Sequence, residues 1–278
     1  VVVASAFVVP VLVLGAQAAV NQAAAAQAAT TQAAAAQKPA PAAGTAKPTA
    51  PAAPARVAAA PADPMIARFG RVSPANISDA IDQIVGRRGF LDHDVRPNVA
   101  GAFVGRARTS LVKAAAADKA TPTLAAKHSV EMIDGASPGE VGVIVMEGSL
   151  DVAAMGGLMG TAAKSRGMAG MVLDGALRDV REIRALGLPV YARSVSPANA
   201  VGRYASVANQ VPVTCAGVTI NPGDIIVASE EGVVVVPKDK AEDVLKRAEE
   251  IATREQKMLP LIKKYKSVAK AVEAFNWI

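Results

Sequence analysis

The sequence predicts a mixed α/β domain built on a buried sheet, and three observations carry that expectation. Short runs of Val, Ile and Leu recur at the length of core strands, as in 141–146 and 233–236. Between them lie segments whose apolar residues fall at helical spacing. Clusters of Gly, Pro, Asn and Asp separate the two kinds of segment, so strands and helices alternate along residues 63–278.

The chain before this domain has another character. Val1 to Gly15 is apolar and uncharged but shorter than the roughly 18 to 20 residues that span a bilayer, and Ala16-Gln17-Ala18 has the small-x-small form of a cleavage site. Residues 1–18 are therefore expected to be an incomplete signal peptide, lacking its start and basic segment. This reading makes the mature chain periplasmic or secreted, with no membrane span. The alternative takes Met65 as the true start and the protein as cytoplasmic. Residues 19–62 are rich in Ala, Pro and Gln and lack the apolar side chains needed to offset the entropy of ordering, so a disordered tether is expected there.

Within the domain, Ser73 followed by Pro74 signals a helix start, and Ile77, Ala80, Ile81 and Ile84 share the face of a helix reaching about Val85. Residues 101–112 read as a strand or hairpin arm, 124–134 as a short helix and 141–146 as a fully buried strand. A glycine turn at Gly156 to Gly160 opens a helix ending near Ser165, and Met168 to Leu173 forms a core strand closed by a turn at Asp174-Gly175. Residues 189–192 and 212–220 are two further strands, and Asn221-Pro222-Gly223-Asp224 turns the chain into strands at 225–228 and 232–237. From Lys238 to about Lys266 an amphipathic helix is expected with Val244, Leu245, Ala248 and Ile251 inward, broken or kinked at Pro260.

Composition narrows the partners. The net charge is +6, of which Lys38, Lys47 and Arg56 supply half from a leader without acids, and aromatics are 3% of the chain. Neither the charge nor the stacking platforms expected of a nucleic-acid binder are present. Cys215 is the one cysteine, and His93 and His128 are the two histidines, so neither a disulfide nor a zinc site of nitrogen and sulfur ligands is in reach. Cys215 reads as a small buried apolar residue rather than a nucleophile. Any metal should be a hard cation on oxygen ligands.

The stretch 156–186 gathers the candidate chemistry. Glycines in Gly156-Gly157-Leu158-Met159-Gly160 let backbone approach a ligand, and the helix that follows aims free amides at a carboxylate or phosphate. A nucleotide-binding loop is disfavoured because three residues separate Lys164-Ser165 from Gly160. The competing reading is that these glycines only let a helix pack closely. Arg178 and Asp179 follow a core strand at a helix start, with Glu182 on the same helical face as Asp179. Two carboxylates beside an arginine suit Mg²⁺ or Mn²⁺ plus a second anionic group. Equally, they suit a capped, solvated helix start balanced by Arg178, Arg181 and Arg184.

Gly157, twenty residues, Arg178-Asp179, two residues and Glu182 form one long pattern, surrounded by AAKSRGMAGMVLDG, LGLPVYAR, GVTINPGDIIVA and EEGVVVVP. In this text, from about Ser73 to Ala252, the chain resembles the RraA-like family, which contains the metal-dependent 4-hydroxy-4-methyl-2-oxoglutarate aldolases and the regulators of ribonuclease activity A. Glu140 and Glu230-Glu231 stand where that family commonly has aspartate. The resemblance implies a three-layer β/β/α sandwich of the swivelling-domain type and a homotrimer with sites between subunits. It implies Mg²⁺ (or Mn²⁺) held by Asp179, with Glu182 ordering the metal's waters. Arg178 would contact the oxo group of a small 2-oxo acid substrate, whose carboxylate the amides of Gly157, Leu158, Met159 and Gly160 would hold. The implied reaction is cleavage of 4-hydroxy-4-methyl-2-oxoglutarate-type 2-oxo acids to pyruvate, with oxaloacetate decarboxylation as a side activity. The alternatives are a non-catalytic regulator that binds a protein partner such as a ribonuclease, and a trimeric scaffold.

Overall fold

Three helices of the domain start in the same way, with an oxygen-bearing cap followed by proline. In the structure, a computed structural model that describes residues 63–275, Asp63 accepts the Met65 amide ahead of α1 (Pro64–Phe69), and Ser73 accepts the Asn76 amide ahead of α2 (Pro74–Ile84). Thr121 accepts the Leu124 amide ahead of α3 (Pro122–Asp134). Each cap satisfies a donor that the first turn leaves without a partner, and proline costs nothing at a position whose N–H would be unpaired. The expected signal peptide and tether, residues 1–62, lie outside the described residues. Among the described residues no helix is long and apolar enough to cross a membrane.

The sheet is organised by β2 (Phe103–Ala114), twelve residues long. Its first part pairs antiparallel with β10 (Ile225–Ser229), which pairs in turn with β11 (Gly232–Val236). Its later part, from Ala107, runs parallel to β3 (Val141–Met146), and from Ser110 it also runs antiparallel to β7 (Tyr204–Asn209). Beyond β3 come β5 (Gly170–Leu177) and β6 (Val190–Val195), all parallel, with β1 (Arg96–Val99) antiparallel at the edge and β4 (Ala153–Met155) parallel to the end of β5. Because one strand belongs to both halves, the β10–β11 end curls over to face the β3–β5–β6 centre.

Side-chain alternation then sorts the core. Val141, Val143 and Val145 of β3 point inward to meet Ile226, Val233 and Val235 of the facing half, while Ile144 and Met146 point outward to Met132 of α3, Ala163 of α4 (Gly157–Ser165) and Ile183 of α5 (Val180–Leu186). This is the β/β/α sandwich. Outside β10 and β11 a further layer forms from α1, α2 and α6 (Ala241–Tyr265), where Phe69, Ile77, Ile81, Leu245 and Ile251 cover Val227, Val234 and Val236. A last helix, α7 (Val268–Phe275), follows α6. Helix α3 is pinned to the sheet by three buried serines: Ser110 and Ser129 lie 2.9 Å apart through their hydroxyls, and the Ser129 amide donates to Ser206 at 3.2 Å.

Three expectations are corrected. Asp174-Gly175 is not a turn, because β5 continues to Leu177 with a register shift against β6 between Leu173 and Ala176. The carboxylate that would have favoured a loop is satisfied inside the fold, since Asp174 pairs with Arg193 at 3.1 Å and accepts the Ala216 amide at 2.6 Å. Residues 212–220 are not one strand but a hairpin, β8 (Val213–Cys215) and β9 (Val218–Ile220), turned at Ala216-Gly217 with φ of 41° and 84°. Of the two outcomes expected at Pro260 the break does not occur, since α6 runs on through this exposed proline to Tyr265. Strands β1, β4 and β7 and helices α1 and α7 were not expected. The first three are short or half-exposed, and their pairing is decided by neighbours rather than by local pattern.

Gly105 of β2 shows how tight the crossing is, because a Cβ there would lie 2.2 Å from the Gly139 carbonyl oxygen. Gly105→Ala is expected to cost about 1–3 kcal/mol, which at about 2–4 °C per kcal/mol lowers the unfolding midpoint by several degrees. Thermal unfolding followed by circular dichroism checks this, and an unchanged midpoint would show that the 103–106 segment is slack.

Candidate functional site

Strands β4 and β5 run parallel and leave the sheet side by side, with Met155 in register with Leu177 and the Arg178 amide donating to the Met155 carbonyl at 3.1 Å. The next residues are Gly156-Gly157 on one segment and Arg178-Asp179 on the other, so the glycine turn and the charged pair are forced together. A Cβ on Gly156 would lie 2.7 Å from both Arg178 Nε and Asp179 Oδ2, so any larger residue there would displace those two side chains. The Gly157 amide donates to Asp179 Oδ2 at 2.8 Å, and Arg178 Nε approaches the same oxygen at 3.6 Å. Both side chains keep more than a third of their surface open to solvent.

Asp179 occupies the N-cap position of α5 but makes no capping hydrogen bond to that helix. Its carboxylate turns instead to the N-terminus of α4, where the helix dipole favours an anion. Its backbone is left-handed, with φ 54° and ψ 37°, a conformation that costs a non-glycine residue about 1 kcal/mol or more. The reading of Asp179 as an ordinary cap of its own helix is therefore overturned.

The turn residues divide by role. The Gly160 amide is committed to the Gly156 carbonyl at 2.9 Å, and a Cβ there would lie 3.0 Å from Ile183 of α5, so Gly160 serves helix packing. Gly157 is shared with Asp179. Leu158 and Met159 are left as the first-turn residues whose amides face outward without a hydrogen bond among the described residues. The Leu158 side chain is 89% exposed, whereas Met159 packs on the helical core. Glu182 lies exposed in the first turn of α5 and makes no hydrogen bond or ion pair among the described residues. The structure therefore joins Arg178 and Asp179 but not Glu182, and Arg181 and Arg184 pair with neither acid.

A hard divalent cation fits this donor set. Asp179 offers an exposed anionic oxygen, and Mg²⁺ commonly takes one or two carboxylates and retains several waters. Among the described residues no three His, Cys, Asp or Glu side chains cluster as metal ligands, so a cation at this turn would rest on the Asp179 carboxylate and on water. Softer metals find nothing here: Cys215 is buried, and His128 is bonded to Glu131 at 2.8 Å.

One polar network was not read from the sequence. Arg193 of β6 donates to Asp94 at 2.9 Å and to Asp174 at 3.1 Å, and the Ala216 amide closes on the other Asp174 oxygen. Hydrogen bonds to Asp94 and then Asp174 outweigh burial and raise the Arg193 pKa. The network holds the second half of β5, and so the strand end that delivers Arg178. Its available signal was an acid inside an otherwise apolar strand. Beside it, burial pushes the Cys215 thiol well up, aided by the Asp174 charge, which removes it as a nucleophile.

A family model described as RraA-like, Aldolase/RraA, matches residues 74–235. The chain is 37% identical over 185 residues to a protein of Halalkalibacterium halodurans named "Putative 4-hydroxy-4-methyl-2-oxoglutarate aldolase", covering 66% of this chain and 81% of that one. Among solved structures it is similar to an uncharacterized protein from Pseudomonas syringae pv. tomato (TM-score 0.65, 28% identity, 75% of this chain and 96% of that one). It is also similar to Streptomyces coelicolor RraAS2, described as an unusual member of the RNase ES inhibitor RraA protein family (TM-score 0.63, 28% identity, 70% and 96%).

The left-handed backbone of Asp179 gives a stability test that needs no substrate. Asp179→Ala and Asp179→Gly both lose the carboxylate, but only the first keeps a Cβ at positive φ. The glycine variant is expected to melt higher than the alanine variant by about 2–4 °C, corresponding to about 1 kcal/mol. Equal midpoints would show that the position carries no strain.

Proposed function

The chain belongs to the RraA-like family, and on that premise we propose that it is a divalent-metal-dependent aldolase that cleaves 4-hydroxy-2-oxo acids of the 4-hydroxy-4-methyl-2-oxoglutarate type to pyruvate. The observation that carries the reading is the convergence of the Gly157 amide and the Arg178 guanidinium on one oxygen of Asp179 at an open helix N-terminus. Asp179 would hold Mg²⁺ or Mn²⁺, which when bound supplies Lewis-acid polarisation of the 2-oxo acid. The outward amides of Leu158 and Met159 bind the substrate carboxylate.

Arg178 presents its guanidinium to the ketone oxygen. Breaking the C3–C4 bond leaves the electron pair on C3, delocalised onto that oxygen as the enolate of pyruvate, while C4 becomes the new carbonyl and its hydroxyl loses a proton. A fixed donor at a developing oxyanion typically contributes about a hundred- to a thousand-fold in rate. Glu182 acts from the first turn of α5 by ordering water for the proton transfers. When the departing group is CO₂ the same enolate forms, so oxaloacetate decarboxylation accompanies aldol cleavage. Assembly as a homotrimer with sites between subunits belongs to the same proposal.

The likeness to RraAS2 supports a second reading, a regulator that binds a ribonuclease through its surface. Pyruvate release from oxaloacetate and from 4-hydroxy-4-methyl-2-oxoglutarate, with and without Mg²⁺, separates the two, since a regulator turns over neither. In the aldolase, Asp179→Asn is expected to abolish metal-dependent turnover with the fold intact, because an amide is a poor ligand for a hard cation. Full activity in that variant or in excess chelator would overturn metal dependence. Arg178→Lys should lower the turnover number more than it raises the Michaelis constant, because an ammonium lacks the planar fork of a guanidinium. Glu182→Gln should be milder, about ten- to a hundred-fold.

A further inference from the structure

The family match ends at residue 235, and the last two helices beyond it carry a charge that the rest of the domain lacks. Residues 63–256 hold 22 basic and 23 acidic side chains, whereas residues 257–278 hold five lysines against Glu273 alone. We propose that the end of α6 together with α7 forms a docking surface for an anionic lipid bilayer, lying on it without crossing it. The inference does not rest on the aldolase reading.

The geometry puts apolar and basic groups on one exposed tip. Helix α6 ends at Lys266, whose backbone is left-handed with φ 49°, and Ser267 accepts the Lys270 amide at 3.2 Å as α7 begins, so α7 turns back against α6. Met258 and Ala271 are buried, but Leu259 and Val268 stay 53% and 56% exposed. With Ile262 and Val272 these two line one groove of about 800 Å³, so they form a single patch. The charged residues of that groove are balanced, Arg71 and Arg247 against Asp79 and Glu255. Lys257, Lys263, Lys264, Lys266 and Lys270 flank the patch along the chain. All five are exposed and none forms an ion pair among the described residues, and the Lys264 ammonium lies 5.3 Å from the centre of the Tyr265 ring.

The kind of basic residue selects the partner. Arginine is enriched in protein interfaces and favoured where single phosphates or carboxylates are gripped by a fork, whereas lysine is depleted from such interfaces. All five cations here are lysine. Their stems lie along apolar surface while their ammonium groups reach anionic head groups, which lets Leu259 and Val268 enter the boundary below. Trp277, the chain's one tryptophan, follows two positions after the end of α7 and is of the type enriched where membrane meets water. Two copies meeting through this face would set lysine against lysine, which disfavours it as a contact between like subunits. The tip belongs to the layer outside β10 and β11, the opposite face of the sandwich from α4 and α5, so docking leaves the Arg178 turn uncovered.

The test is sedimentation of the full chain with vesicles of phosphatidylcholine alone and of equal parts phosphatidylcholine and phosphatidylglycerol. Its readout is the ratio of the two partition coefficients, because the uncharged apolar run at residues 1–15 adds to both. The anionic vesicles are expected to be favoured by about a hundredfold or more, since each lysine near such a surface contributes about fivefold. Lys263→Gln/Lys264→Gln/Lys266→Gln is expected to lower the ratio by about tenfold or more, and Lys257→Gln/Lys270→Gln by about fivefold or more. Melting curves confirm that both variants fold. Leu259→Ser/Val268→Ser should weaken binding to the anionic vesicles severalfold, and Trp277 emission should move to shorter wavelength on binding. A ratio near one, an unchanged ratio in the folded lysine variants, or binding with unmoved Trp277 emission would overturn the inference. Preference for soluble polyglutamate over the vesicles would assign the lysines to an acidic protein partner and overturn it as well.

Discussion

The site depends on how closely two chain segments leave the sheet. Because β4 and β5 are parallel and in register at Met155 and Leu177, the residues after them emerge as neighbours, and the space between is too small for a Cβ on Gly156. That contact brings Asp179 to the amide of Gly157 and holds its carboxylate away from its own helix. The left-handed backbone of Asp179 is the accompanying cost, and it is of the kind that a fold tolerates where a side chain must be aimed in one direction.

Two sets of interactions make the contact rigid. Strand β3 and most of β5 are buried on both faces, so their register cannot slip without moving an apolar set into the wrong layer. The Asp94–Arg193–Asp174 network then ties β5 to β6 and to the β8–β9 hairpin, just where a register shift would otherwise loosen the strand. A glycine-rich turn would by itself be free to move. Here it is held by a strand on one side and, through Gly160, by Ile183 of α5 on the other.

The same geometry sets charged and apolar surface side by side. Charge gathers at Arg178 and Asp179 at the mouth of α4, in contact with solvent. Beside Arg178 a cleft is lined mostly by apolar residues of α3, β4, the start of α4 and the 199–201 loop.

Much of this was legible in the sequence, for local reasons. The capped starts at Ser73-Pro74, the double-sided run of Val141 to Met146 and the inward face of Val244, Leu245, Ala248 and Ile251 each follow from residues within a few positions of one another. The spacing from Gly157 to Arg178-Asp179 singled out the stretch whose strand end and helix start the structure brings together through Asp179. Tertiary structure decided the rest, because the deciding partner lay far along the chain. Asp174-Gly175 has the local chemistry of a turn, yet Arg193 and the Ala216 amide keep it in a strand. Asp179 has the position of a cap, yet Gly157, twenty-two residues earlier, takes its carboxylate. Glu182 shares a helical face with Asp179 in sequence, yet the left-handed turn at Asp179 makes that residue the end of the helix rather than part of its regular face. Sequence spacing measures distance along one element, and the site is made where separate elements meet.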